Sequence, residues 1–131
     1  MPDSTTTVAM LRQGMAHFVA EREWEKFHSP KNLAMALAAE AAELMEHFLW
    51  IDNDESRALV RDPAQRGAIA DEIADAAGVI FALCNALDLD LSDAVADKMS
   101  RNVRKYPVEK CRGRYRVEEE EEKRRRGEKE N

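Results

Sequence analysis

At 131 residues, with 44% apolar and 6% aromatic side chains, the chain is long enough for one domain with its own core. A formal charge of −6 excludes a general nucleic-acid binder, whose non-specific affinity comes from excess Lys and Arg. No apolar run approaches the roughly 20 residues of a membrane span, the N-terminus lacks the basic and apolar regions of a secretory leader, and Cys84 and Cys111 form neither a Cys-x-x-Cys pair nor a disulfide framework, so the expectation is a soluble protein of the reducing cytoplasm.

The apolar runs are built mostly from Ala, Leu, Val and Met, which suit helices better than strands, and the chain reads as all-α. Ser4 to Thr7 offer N-caps to a first helix, in which Val8, Leu11, Met15, Phe18 and Val19 recur at three- and four-residue intervals; it should run to about Trp24 or Phe27. Ser29 as cap and Pro30 at the first position start a second helix, with Leu33, Leu37, Glu40, Leu44 and Phe48 on one stripe and an end near Trp50, before the turn-forming Asp52-Asn53-Asp54. Its small residues Ala38, Ala39, Ala41 and Ala42 would let a neighbouring helix come close. One helical turn is expected over Ser56 to Val60. Asp62-Pro63-Ala64-Gln65 then starts a third long helix with Ile69, Ile73, Ala76, Ile80, Leu83 and Leu87 on its apolar face. Gly78 in its middle costs about 1 kcal/mol relative to Ala and calls for close packing or a close ligand. After Asp88-Leu89-Asp90, a fourth helix carries Leu91, Val95, Met99 and Val103 on one face and Lys98, Asn102 and Tyr106 on another, and Pro107 stops it.

Charge is unevenly spread. Between Arg101 and Arg116 the basic residues outnumber the one acid, Glu109, which suits a small polyanionic ligand. From residue 116 the composition collapses into Glu118 to Glu122 followed by Lys123 to Arg126, read as a charged tail, disordered or a lone solvated helix with four-apart Glu–Lys and Glu–Arg pairs. The basic run is a nuclear-address pattern too short to be specific. The domain proper is taken as residues 1–115.

Two acidic steps stand out, Glu40-x-x-Glu43 and Glu72-x-x-Asp75. Residues three apart share a helix face, so each step offers two carboxylates to one ion. Either step alone is what a solvated face in a highly charged chain gives by chance. The two together, each touching an apolar stripe, leave a solvated face and a shared metal site as alternatives, because a carboxylate held on an apolar seam must be neutralised or matched by a cation. All-carboxylate ligation favours Mg²⁺ or Mn²⁺ over zinc, and Mg²⁺ completes its shell from water and phosphate, which points to a phosphorylated substrate. Lys98, Asn102 and Tyr106 are donors suited to phosphate oxygens, or else an ordinary polar stripe. Trp24 and Trp50 can stack on a base, or pack in a core or subunit interface. His28 can bond a ligand or a helix end, while His17 and His47 show no partner spacing. Glu25-x-x-His28 is the step of a di-iron bundle, but that design needs one on each of two helices.

Several segments taken together, Phe18 to Trp24, Phe27 to Leu33, Ala36 to Trp50, Asp71 to Asp75 and Lys98 to Pro107, resemble the dCTP pyrophosphatases of the MazG-like all-α nucleoside triphosphate pyrophosphohydrolases, and the resemblance extends from about Leu11 to Pro107. It implies a four-helix-bundle-like fold, usually a homotetramer (a dimer is the simpler assembly), that hydrolyses a nucleoside triphosphate to monophosphate and pyrophosphate with Mg²⁺. Carried onto matching positions, it makes Glu40, Glu43, Glu72 and Asp75 metal ligands, with Glu40 or Glu43 activating water. Trp24 and Trp50 then border the base, His28 belongs to the pocket rim, and Lys98, Asn102 and Tyr106 hold phosphates.

The chain departs from that family where Met15 replaces a frequent His that reaches the base and Val79 a frequent aromatic, and the segment Val108 to Tyr115 is shortened. These departures bear on the base rather than on the reaction. The alternative to an enzyme is a non-catalytic bundle that binds partners through its charged tail.

Overall fold

Four helices each start on a side chain that accepts a backbone N–H from the first turn, and the computed structural model, which describes residues 1–114 and 123–127, shows all four bonds. Thr7 accepts from Met10 (3.1 Å) ahead of α1, Val8–Glu21; Ser29 accepts from Asn32 (3.2 Å) ahead of α2, Pro30–Glu46; Asp52 accepts from Glu55 (2.8 Å) ahead of α3, Asn53–Leu59; Asp62 accepts from Gln65 (3.1 Å) ahead of α4, Pro63–Leu87. Each such cap is worth about 1 kcal/mol. A 3₁₀ turn, Glu25–Phe27, lies between α1 and α2, and α5, Leu91–Lys105, and α6, Val108–Cys111, follow α4. Among the described residues there is no strand, so the chain is all-α as expected. The charged tail expected from residue 116 lies, apart from residues 123–127, outside the described residues.

Helix ends differ from the expectation more than helix starts do. α1 stops at Glu21, because Glu23 turns left-handed (φ 52°) and the N–H groups of Glu23 and Trp24 fold back onto the carbonyls of Ala20 (3.1 Å) and Val19 (3.0 Å). This is a Schellman closure, and its usual hydrophobic contact is present as an edge-on pair of Trp24 and Phe18 with ring centroids 5.7 Å apart. Asp88 (φ 50°) closes α4 in the same manner, with Leu89 N–H on the Cys84 carbonyl at 2.9 Å. α2 ends at Glu46 rather than near Trp50; the chain continues through tight turns in which the N–H groups of His47, Phe48 and Leu49 reach back three residues, and Trp50 then breaks left-handed at φ 66°. α3 begins three residues before the expected turn, because Asp52 caps it. Pro107 does end α5, and it also starts α6, a short helix that periodicity does not predict.

α4 is the axis of the first ninety residues. α2 packs along it and α1 against it, and among the described residues the buried side chains are Val19 on α1, Leu33 on α2, and Ile69, Ala82 and Cys84 on α4. The inward face of α2 is the predicted stripe: Leu33, Leu37, Glu40, Leu44 and Phe48 are all buried or half-buried, with Ala36 and His47 beside them. Ala38, Ala39, Ala41 and Ala42 are exposed instead of lying under a neighbour. On α4 the predicted face is displaced: Ile73 and Leu87 are exposed while Glu72 is half-buried, and every residue from Ala76 to Asn85 is at least half-covered. The reason is that α4 serves two neighbours, so one stripe does not describe it. Gly78 is explained by the packing of α1: a Cβ there would come within 2.9 Å of the Met15 methyl. Arg12 and Asn85 clasp the same two helices, with Arg12 Nε–H on Asn85 Oδ1 at 3.2 Å and Asn85 Nδ2–H on the Arg12 carbonyl at 3.0 Å.

The chain divides into two compact units, Met1–Asp90 and Leu91–Asn131. Within the second, α5 exposes Val95, Met99 and Val103, and Leu91 and Asn102 are half-buried. No helix among the described residues is long and apolar enough to cross a membrane.

Candidate functional site

The inward stripe of α2 places Glu40 among Leu37 and Leu44, and the packing of α2 on α4 sets it against Glu72. One carboxylate oxygen each from Glu40, Glu43 and Glu72 lie within 4.8 Å of one another, a spacing at which all three can ligate one ion. Glu40 and Glu72 are half-buried and Glu43 is exposed at the rim. Glu40 Oε2 and Glu72 Oε2 are buried and have no hydrogen-bond partner. Unsatisfied acceptors at a helix interface are costly, and negative ones more so.

The charges around these oxygens make the same point. Partial burial first, then the charges of Glu43 and Asp75, a carboxyl hydrogen bond with Glu43 and the charge of Glu72 push the Glu40 carboxyl above its ordinary 4.5. Glu72 is raised by partial burial, Glu43 and Asp75, with His47 opposing. Asp75 therefore acts on the cluster through its field, although it is not among the three residues whose oxygens converge. A hard divalent cation would relieve the repulsion, give the two bare oxygens a partner and match the all-oxygen donor set, so these residues fit such an ion.

The remaining candidates are not among the three residues whose oxygens converge. Trp24, packed on Phe18, closes α1, and Arg22 covers the other aromatic, its guanidinium 3.8 Å from the Phe18 ring centre. His28 is half-buried at the end of the 3₁₀ turn; it and Glu25 take no part in the converging carboxylates. Trp50 is 98% exposed. Lys98 and Asn102 share one face of α5, within the second unit, and Tyr106 follows just past its end, with Lys98 exposed, Asn102 half-buried and the Tyr106 N–H on the Asn102 carbonyl at 2.8 Å. One residue joins the cluster that sequence reasoning passes over: His47, whose Nε2 is 3.9 Å from Glu72 Oε1. Its signal is present, since it follows Glu43 by four residues and Glu40 by seven, but its partner is on another helix. His17 also has a partner, Glu21, at 3.1 Å on the exposed side of α1.

Residues 35–121 match the MazG-like family. The chain belongs to the MazG-like family. This MazG-like chain is 40% identical over 110 residues to dCTP pyrophosphatase 1 of Bos taurus, covering 84% of the chain and 65% of that protein. It is 39% identical over 106 residues to dCTP pyrophosphatase 1 of Homo sapiens, covering 81% and 62%. The MazG-like chain thus spans just under two thirds of the length of these curated relatives. Among solved structures it is similar to a pyrophosphatase from Archaeoglobus fulgidus DSM 4304, with a TM-score of 0.73 and 33% identity over 82% of this chain and 98% of that one. The resemblance read from Leu11 to Pro107 is borne out by these relatives, and the bundle-like fold by the solved neighbour.

Proposed function

We propose that the chain is a Mg²⁺-dependent nucleoside triphosphate pyrophosphohydrolase acting on dCTP or a modified dCTP, with Mn²⁺ able to replace Mg²⁺. The observation that carries this reading is the convergence of Glu40, Glu43 and Glu72 on one point with two buried oxygens left without a partner. The names of the relatives and of the solved neighbour support the choice of reaction and of base.

In this reading Glu40, Glu43, Glu72 and Asp75 hold the cation. When bound it neutralises the triphosphate and acidifies a water, the two things phosphoryl chemistry needs most. Glu40 or Glu43 would take a proton from the attacking water as its oxygen bonds to the α phosphorus; the bond from that phosphorus to the α–β bridging oxygen would break, so that this oxygen leaves with pyrophosphate and the monophosphate remains. We assign Lys98, Asn102 and Tyr106 to the phosphates, Trp24 and Trp50 to the border of the base and His28 to the rim, on the sequence resemblance. The catalytic domain is residues 1–115. The test is Glu43→Gln assayed for pyrophosphate release from dCTP with Mg²⁺: a fall of about 100-fold or more is expected, and a rate equal to that of the unaltered protein overturns the role of Glu43. A panel of dNTPs tests the base, and a preference for a purine overturns the cytosine reading.

We also propose that the protein self-associates, as a homotetramer or a dimer. Among the described residues only five apolar side chains are buried, while Trp50, Met35, Met45 and Val103 stand open to solvent. Such apolar surface marks contact sites. Sedimentation velocity showing a monomer at micromolar concentration would overturn this. The unpaired thiols of Cys84 and Cys111 suit the cytoplasm.

A further inference from the structure

We infer that His47 is a positioning residue for the cation-binding carboxylates: from the end of α2 it holds Glu72 of α4 by one oxygen, so that the other stays turned toward the ion. The inference rests on the reading of Glu40, Glu43 and Glu72 as cation ligands. It adds a residue that reaches the ion only through one of them.

Three observations carry it. The first is register. His47 caps α2 with helical backbone angles (φ −65°, ψ −18°), so its side chain still projects on the face that carries Glu43 and Glu40, one and two turns earlier. The second is the asymmetry of Glu72. Its Oε1 lies 3.9 Å from His47 Nε2, whereas its Oε2 is buried and bare, as is Oε2 of Glu40. The two oxygens of one carboxylate thus have different surroundings: an imidazole near one and, at the other, burial without a donor. The third is burial. The His47 and Glu72 side chains are each 23% exposed, against 76% and 57% for His17 and Glu21, the other histidine–glutamate pair. The interior pair is shielded from water and has fewer alternatives.

At 3.9 Å the contact is longer than a hydrogen bond, and the inference requires either a rotation of Glu72 that brings Oε1 closer or a water between the two groups. Either way the imidazole limits the rotation of a long, flexible glutamate side chain. Ligating carboxylates in metal sites are held by such outer partners, whose loss typically costs about 10- to 100-fold in metal affinity. His47 itself does not ligate the cation.

The test uses the full-length chain and Mn²⁺ alone, with affinity read from the electron paramagnetic resonance signal of free Mn²⁺ and stability from the melting temperature without metal. His47→Leu removes the donor and keeps bulk; His47→Gln keeps an N–H donor. The expected result is Mn²⁺ binding weaker by at least about 10-fold in His47→Leu, an unchanged metal-free melting temperature, and recovery of most of the affinity in His47→Gln. Binding by His47→Leu within twofold of the unaltered protein overturns the inference. So does a loss shared equally by His47→Gln and matched by a fall in the metal-free melting temperature of both, which is the pattern of a packing defect. An unaltered protein that binds Mn²⁺ but releases no pyrophosphate from any dNTP overturns the proposed activity and leaves the role of His47 standing, whereas one that binds no Mn²⁺ overturns both.

Discussion

Several carboxylates on the outer faces of this protein are paired within their own helix or cap its start, whereas Glu40 and Glu72, between α2 and α4, each keep one buried oxygen without a partner. Asp54 meets Arg57 at 3.0 Å and Asp97 meets Arg101 at 2.9 Å, both pairs well exposed, while Asp52 and Asp62 accept backbone N–H groups at helix starts. Glu40 and Glu72 lie half-buried, near each other and near Glu43, with one bare oxygen apiece. Helical spacing alone does not separate the two sets, since three- and four-residue steps occur in both. What separates them is the combination of burial, like charge and the want of a partner, which is the arrangement a cation site requires and a solvated face avoids.

The strongest way to break this contrast is to remove one interior charge. Glu40→Gln or Glu72→Gln should lower pyrophosphate release from dCTP by about 100-fold or more, while the helical circular dichroism spectrum is retained. Full activity in either variant would return that residue to the ordinary surface set. The next effect is on stability. Glu40 and Glu72 have folded-state carboxyls raised above 4.5, first by partial burial and then by their acidic neighbours. The metal-free folded state therefore holds these protons more tightly than the unfolded chain, so it gains stability as pH falls through the raised range toward 4.5 and loses it as pH rises. The melting temperature without metal should be lower at neutral pH than just above the ordinary carboxylate range. Saturating Mg²⁺ at neutral pH should raise it by several degrees and flatten the pH dependence. A Glu40→Gln/Glu72→Gln double variant showing the same pH dependence and the same response to Mg²⁺ would assign both effects elsewhere.

The starts of the helices are legible in the sequence because capping is local: Thr7, Ser29 and Asp62 each act within their own first turn. The α2 stripe is legible too, since a helix with one neighbour shows one periodic face. Glu40 on that stripe is the most informative single residue. The end at Glu23 is not legible, because a side chain that ordinarily avoids left-handed backbone adopts it there under the pull of the Schellman bonds and of the Trp24–Phe18 contact, whereas the break at Asp88 is read from Asp88-Leu89-Asp90. α4 misleads for a different reason. Serving α1 on one side and α2 on the other, it turns Glu72 inward and leaves Ile73 outside, which no single period predicts. His47 is only half legible: its spacing from Glu43 and Glu40 is in the sequence, but its partner Glu72 is on another helix, and helical spacing records only neighbours on the same one.

The smallest effects test the other half of the contrast. Asp62→Ala removes an acceptor from the Gln65 N–H at the start of α4, a bond with a fixed local geometry and little entropy to lose, so urea unfolding should show a loss of about 1 kcal/mol. Asp97→Ala should cost less, under about 0.5 kcal/mol, although its bond to Arg101 is the shorter of the two. The Asp97 and Arg101 side chains are 70% and 56% exposed, so each is well hydrated when unpaired, and holding both in one geometry offsets much of the attraction. Raising the salt concentration should shrink the Asp97 effect further, because solvent screening acts on an exposed pair, and leave the Asp62 effect nearly unchanged. A loss above about 1 kcal/mol on Asp97→Ala would mean that this carboxylate depends on its surroundings as strongly as an interior one does, and that exposure does not mark the division between the two sets.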